Sequence, residues 1–366
     1  MVTTTSKVLR KSPSMFVRMR KPKPSLVFDT YWRFAAERQN VFMRRVKGKR
    51  MPWTEDPIIS AHKFTNAYRA SDRVSQYLIK EVIYGKRYGL EDTVFRIILF
   101  KIFNKIETWE FLSNELDKQI SLDAFESKHF GKMLDAAKAH KGAIYSAAYI
   151  MPSGKTHGSG KSSKHQFHLE LLESLKWSGF FSEIASVSSM EEGYNMLLSL
   201  PSIGAFLAYQ YITDLNYSDH FDFSETEFVM PGPGARDGIR KCFSDFGDYS
   251  EADIIKMVCE QQEEHFDRLG LSFQSLWGRP LKLIDCQNLF CEVDKYSRVA
   301  HPEFAGRSGR TRIKQKYAPS SRESISPWFP PKWGLNESIR AEALPDVSEK
   351  TQAFSFSEGS SLPLFA

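Results

Sequence analysis

Apolar residues recur at helical spacing through most of this chain, and the alternation that marks a half-buried strand is scarce. "VFDTYWRFAAERQNVFMRRV" at 27 to 46 carries an apolar stripe, with Asp29 or Thr30 placed to cap it. "NAYRASDRVSQYLIKEVIYG" at 66 to 85 reads as a second helix, ended by Gly85. "GLEDTVFRIILFKIFNKIETWEFLSNEL" at 89 to 116 is apolar on most sides, which predicts a pair of buried helices. Further helices are predicted over 121–142, with Ser121 as a cap, and over 165–177, 178–187, 189–199 and 204–214. Only short stretches such as "KGAIYSAAYIM" alternate, and no internal repeat is present. The fold class that follows is mostly α, with few short strands.

The 366 residues suffice for one large core or two ordinary ones. A hydrophobic content of 42% and a charged content of 26% are those of a folded soluble protein. No apolar run reaches the roughly 18 residues of a membrane span, and no apolar core follows the basic N-terminus. A membrane partner and a secretory leader are therefore not expected. The expected location is the cytoplasm, associated with the nucleoid, or the nucleus if the source is eukaryotic. Cys242, Cys259, Cys286 and Cys291 lack CxxC spacing and read as isolated buried thiols rather than a zinc site. No metal or cofactor is expected.

The net charge of +6 hides an asymmetry. Residues 1 to 50 hold 14 Lys and Arg against Asp29 and Glu37. Basic residues return between Arg298 and Arg322, seven against the single acid Glu303. Two basic segments on a mildly acidic body suggest a polyanion partner, bound through counterion release. The stretch "FAGRSGRTRIKQK" at 304 to 316 reads as a phosphate-contacting loop. Residues 1–25 read as a disordered basic arm, 26–317 as the helical body, and the Pro- and Ser-rich 318–366 as a tail.

Several motifs carry chemistry. "MPSGKTHGSGKSSKH" at 151 to 165 is not a Walker A loop, because position 155 is Lys where the motif needs Gly. Its Lys161 is a candidate for a substrate phosphate; a simple exposed loop is the bland alternative. "LPSIG" at 200 to 204 matches the turn of helix-hairpin-helix proteins, where amides at a helix start approach a phosphate. Ser202 and Gly204 are its candidate contacts. In glycosylases of that superfamily an essential carboxylate follows the hairpin by roughly twenty residues. Asp222, Glu225 and Glu227 stand at that spacing and are the catalytic candidates; the alternative is surface acids with "SETE" as a capping box. "PGPGARDG" at 231 to 238 supplies Gly232, Gly234 and Arg236 as a turn that shapes a base pocket, or an ordinary tight connection.

Three helical faces add polar groups. Asn288, Glu292 and Lys295 fall together at helical spacing in "DCQNLFCEVDKYSRV", with Arg298 beyond them. Arg69, Asp72, Arg73 and Gln76 share a side of the 66–85 segment, as nucleic-acid contacts or as a salt-bridged surface. Asn104, with Lys105, Glu107 and Trp109, reads as a pocket wall.

Six ordered blocks, "YWRFAAERQNVFMRR", "FTNAYRASDRVSQYLI", "FNKIETWE", "LPSIGAFLAYQYITDLNYS", "SETEFVMPGPGARDGIRKCF" and "DCQNLFCEVDKYSR", resemble the α-glutamyl/putrescinyl thymine pyrophosphorylase family over roughly residues 27 to 300. The same unit occurs as the helical domain attached to 5-hydroxymethyluracil DNA kinases. The resemblance implies a helix-hairpin-helix glycosylase-like helical fold and an enzyme that modifies or excises a thymine-derived base in DNA. In that family a kinase activates hydroxymethyluracil, and an amino acid or polyamine then replaces the pyrophosphate. This chain has no kinase P-loop, so a separate 5-hydroxymethyluracil DNA kinase would be its partner, beside DNA and the amine donor.

Three readings stand at this point. The first is a transferase acting at the 5-methylene carbon of a flipped base; the second is a glycosylase acting at the anomeric carbon. The third is a non-catalytic reader of modified DNA.

Overall fold

Ser25 starts the first helix: its hydroxyl accepts from the Val27 amide at 3.1 Å, and α1 runs from Leu26 to Val46. Asp29, an expected cap, instead sits in the first turn and pairs with Arg268 at 2.6 Å. The computed structural model describes residues 19–116, 119–147, 151–152, 163–318 and 326–343. After α1 come α2 (Pro57–Ala61), a 3₁₀ turn (Arg69–Ser71) and α3 (Arg73–Tyr77), which passes into a π-helix (Leu78–Ile83). Then follow α4 (Leu90–Phe103), α5 (Ile106–Glu115), α6 (Ser127–Lys141), α7 (Lys164–Trp177), α8 (Phe180–Glu183), α9 (Met190–Leu198) and α10 (Ala205–Leu215). The last helices are α11 (Pro233–Cys242), α12 (Glu251–Glu260), α13 (Gln262–Arg268), α14 (Leu283–Ala300) and α15 (Asn336–Ala343). Among the described residues the only sheet is antiparallel, pairing β1 (Lys23–Pro24) with β2 (Phe243–Asp245). The fold is mostly α, as the apolar periodicity predicts.

Two groups of helices share one core. α1, α11, α12 and α14 pack together, and α4 to α10 form the second group around α4. Every residue of α4 from Thr93 to Phe103 is buried, which is why its sequence has no polar face. Arg96 stays inside that helix by donating to the Val82 and Ile120 carbonyls and stacking over Tyr88 at 3.8 Å. In the other group α11 lies hard against α14. A Cβ on Gly238 would stand 2.0 Å from the Phe290 carbonyl oxygen, so only glycine permits this approach.

The structure departs from the expected segments at four places, the first being the expected disordered arm 1–25, whose Lys23–Pro24 pair with β2 and whose Ser25 caps α1. The 66–85 stretch is not one helix. Asp72 takes an extended backbone, ψ 145°, and its carboxylate accepts from the Asn66 amide at 2.8 Å. That contact folds 66–72 back on itself, and the helix restarts at Arg73. The 121–142 helix begins only at Ser127; the Ser121 hydroxyl accepts from Ala124 in a preceding turn. Part of the expected tail belongs to the body: Phe329 is fully buried, the Trp328 amide donates to Gln76, and Trp333 meets Tyr217 edge-on. No helix among the described residues is long and apolar enough to cross a membrane.

Candidate active site

A cavity of about 770 Å³ opens where the two helix groups meet. α1 contributes Arg38, Val41 and Arg45, and α14 contributes Asn288, Cys291, Glu292 and Lys295. Asp72 and Arg73 come from the start of α3, and the other group contributes Lys101 and Asn104 at the end of α4 and Phe206 of α10. Trp53, Phe64 and Tyr317 add aromatic surface. The volume lies within the roughly 300–1,000 Å³ typical of small-molecule sites.

Local sequence explains how the polar groups point inward. Asn104 ends α4 in the left-handed conformation, φ 48°, which Asn tolerates better than most residues. Its side-chain oxygen then accepts from the Lys101 ammonium at 2.8 Å. Lys101 also lies 3.2 Å from Asp214, and burial pushes its ammonium down to about 8 against the pull of that carboxylate. Asp72 is pushed the other way. Burial raises its carboxyl to about 7, with the Asn66 amide lowering it and Glu292 raising it. The cavity therefore holds an acid and an amine that both titrate near neutrality, which is where proton transfer is efficient.

Charge in the cavity is lopsided. Arg38, Arg45, Lys63, Arg73, Lys101, Lys295 and Arg310 line it, against Asp72 and Glu292. Some of these cations are committed. Arg38 donates to the Thr65 carbonyl and to the Asn66 side chain, both at 3.0 Å. Lys295 pairs with Glu292 at 2.7 Å and lies over the Phe64 ring. The basic 304–316 segment crosses the cavity: Lys63 donates its amide to Gln315 and Tyr317 donates its own to Ala61. This pairing brings Arg310, Gln315 and Tyr317 to the wall. Among the described residues no cluster of three or more His, Cys, Asp or Glu could hold a metal ion. Cys242, Cys259 and Cys286 are buried free thiols, and Cys291 is partly buried.

Asn288 and Lys295 of one helix, Asn104 and Arg73 all reach this cavity, from three separate stretches of sequence. Arg69 does not, and its expected role as a DNA contact gives way to a structural one. It is 1% exposed and donates to both oxygens of Asp214, to Gln210 and to Tyr217. Arg298 likewise turns to Asp294, at 2.5 Å, rather than to the cavity. Lys161 lies outside the described residues.

Asp222, Glu225 and Glu227 are not among the cavity-lining residues. Glu225 is held by Arg279, whose guanidinium stacks over Trp333. Asp222 and Glu227 are exposed, and Lys332 bonds the Ser218 and Phe221 carbonyls beside them. No helix starts at "SETE", so the capping-box alternative fails. The glycine-rich turn opens α11 and buttresses the wall from behind. Gly232 lies against Phe206 and Gly234 against Cys291, and neither has positive φ. Arg236 pairs with Glu251 outside the cavity. The α9–α10 turn is exposed at Pro201 and Gly204, with Ser202 at φ 66°.

Asp72 and Lys101 carry the least expected chemistry. Asp72 sits at a backbone break that dissolves the helix face its spacing suggests, and Lys101 lies inside an apolar run. Trp53 and His62 come from stretches without periodic signal.

Helices from both ends of the chain thus enclose a cation-rich, aromatic-walled cavity with a titrating carboxyl, a geometry suited to an anionic ring substrate. The profile of the family described as "5-hmdU DNA kinase, helical domain" matches residues 25–306, and the chain belongs to that family. It is 27% identical over 306 residues to a 5-hmdU DNA kinase of Bacillus phage SP10, a match covering 78% of this chain and 47% of that protein. The chain thus spans about half the length of that relative. No solved structure matches it.

Proposed function

We propose that this protein acts on a pyrophosphorylated 5-hydroxymethyluracil base in DNA, extruded from the stack into the cavity, and replaces the pyrophosphate with an amine. Extrusion costs a few kcal/mol, which contacts in the cavity must offset. The observation that carries the reading is Asp72, a carboxyl near neutrality in a cavity otherwise dominated by cations and aromatic rings. Family membership and the kinase relative support 5-hydroxymethyluracil as the base.

The chemistry balances on these residues. The amine nitrogen attacks the 5-methylene carbon and a C–N bond forms. The C–O bond to pyrophosphate breaks, and pyrophosphate leaves with the electron pair toward Lys101, Arg73 and Arg310. The extra proton on the new ammonium passes to Asp72. Electrostatic stabilisation of the departing charge is the largest contribution expected of the cations.

A second reading, base excision, draws on Lys101, whose lowered ammonium in the cavity wall is suited to nucleophilic attack on a sugar carbon. The test uses oligonucleotides bearing thymine, 5-hydroxymethyluracil or its pyrophosphorylated form, with and without amino acids and polyamines, read by intact mass. Pyrophosphate loss with gain of the amine supports transfer, loss of the base supports excision, and no change in any substrate rejects both.

A further inference from the structure

We infer that Asn288 reads the base-pairing edge of the extruded pyrimidine, its carboxamide accepting from the ring N3–H and donating to a neighbouring carbonyl oxygen. The inference deepens the transfer reading and rests on it for the presence of a base in the cavity. Asn288, Cys291, Glu292 and Lys295 all line the cavity. Positions three, four and seven apart share one face of a helix, so this is the face that α14 turns to the cavity. Asn288 is 8% exposed, and its carboxamide makes no hydrogen bond among the described residues. Both amide atoms keep accessible surface, and the cavity is what they border.

The other amides of the cavity differ. Asn66 accepts from Arg38 at 3.0 Å and donates to the Ser71 carbonyl at 2.8 Å, and the Asn104 oxygen accepts from Lys101 at 2.8 Å. Gln315 is exposed. Polar groups as buried as Asn288 are nearly always hydrogen-bonded, so an amide with both ends free in a cavity wall points to a ligand. The helix that carries it is held firmly. Gln287 donates to the Cys291 sulfur at 3.3 Å, Glu292 accepts from the Thr65 amide at 3.1 Å, and a Cβ on Gly234 would stand 3.1 Å from the Cys291 sulfur.

The chemistry of the ligand follows from the group. A carboxamide sets donors on nitrogen beside an acceptor on oxygen. A phosphate or carboxylate supplies acceptors only and would leave the amide oxygen opposed. An ammonium supplies donors only and would oppose the amide nitrogen. A uracil ring places N3–H beside a carbonyl in one plane and satisfies both ends at once. Bidentate pairing of a side chain with a base edge discriminates roughly tenfold to a hundredfold.

The test is competition binding of the full chain, without an amine, to single-stranded oligonucleotides carrying pyrophosphorylated 5-hydroxymethyluracil or its N3-methyl derivative. Methylation deletes the N3–H donor and, in a single strand, disturbs no base pair. The wild type is expected to prefer the unmethylated base by about tenfold or more. Asn288→Leu, which keeps the volume and deletes the amide, and Asn288→Ala are both expected to erase that preference, while Glu227→Gln keeps it. Circular dichroism checks that each variant is folded. A preference that persists in both Asn288 variants overturns the inference and leaves the transfer reading standing. No preference in the wild type overturns it together with the placement of a base in the cavity. A preference that both Asn288 variants lose supports it, even where intact mass shows no transfer.

Discussion

Arg69 donates to both carboxylate oxygens of Asp214, at 2.7 and 2.9 Å, across 145 residues of chain, with neither side chain more than 1% exposed. Lys101 joins the same carboxylate at 3.2 Å, so one acid ties the 3₁₀ turn, α4 and α10 together. Asp214→Asn leaves two buried cations without a counter-charge. Stability is expected to fall by about 3–5 kcal/mol, read by urea denaturation. An Arg69→Met, Asp214→Leu pair retains more stability than Asp214→Asn, because it leaves one buried cation, Lys101, without a counter-charge rather than two.

The Asp72 carboxyl sets a pH dependence of turnover. As a base it must be ionised, so the transfer rate is expected to rise with pH and level off above about 7. Asp72→Asn abolishes turnover and retains DNA binding, whereas Glu227→Gln, at an exposed site away from the cavity, changes neither. Single-turnover kinetics alongside filter binding tests the pair.

The same carboxyl makes a stability prediction of definite sign. Its ordinary value is 3.8 and the folded value is about 7, so between these the folded state binds more protons than the unfolded state. Its contribution to stability therefore falls as pH rises through that window. Asp285, raised to about 6 by burial, acts in the same direction. Asp72→Asn removes its part, so the variant is expected to gain on the wild type between pH 4 and pH 8. Denaturant melts at the two pH values read the difference.

Lys295→Ala removes a cation from the cavity and releases Glu292 from its 2.7 Å partner. Affinity for a pyrophosphorylated oligonucleotide is expected to fall about tenfold, and affinity for unmodified DNA hardly at all. Competition binding with the two oligonucleotides checks this.

Gly238→Ala places a methyl 2.0 Å from the Phe290 carbonyl oxygen, which is backbone and cannot step aside. Prying α11 from α14 is expected to cost about 3 kcal/mol, visible as a lowered Tm.

Periodicity made the helices legible, because an apolar stripe is a local property. It also brought Asn288, Glu292 and Lys295 together, since spacing along one helix fixes their face. Arg69 was not legible as a core residue: its partner Asp214 lies 145 residues away, and local sequence does not reveal that pairing. Asp72 was hidden by a backbone break whose cause is one hydrogen bond to Asn66. Lys101 reads as an interruption of an apolar helix until Asn104 and Asp214 are placed around it. The glycine-rich turn was conspicuous for a packing reason, the closeness of α11 and α14, which composition cannot separate from ligand approach.

The walls of the cavity run from Arg38 to Tyr317 in sequence. During synthesis the early contributors, Arg38, Asp72 and Lys101, emerge long before α14 and the 310–317 crossing that complete their surroundings. A ribosome-bound chain stalled ahead of α14 thus presents Tyr31 of α1 bare of Phe290 and Cys286. Such an intermediate has every helix of the α4 group but no pocket, and its exposed aromatic surface makes it a natural client for a chaperone.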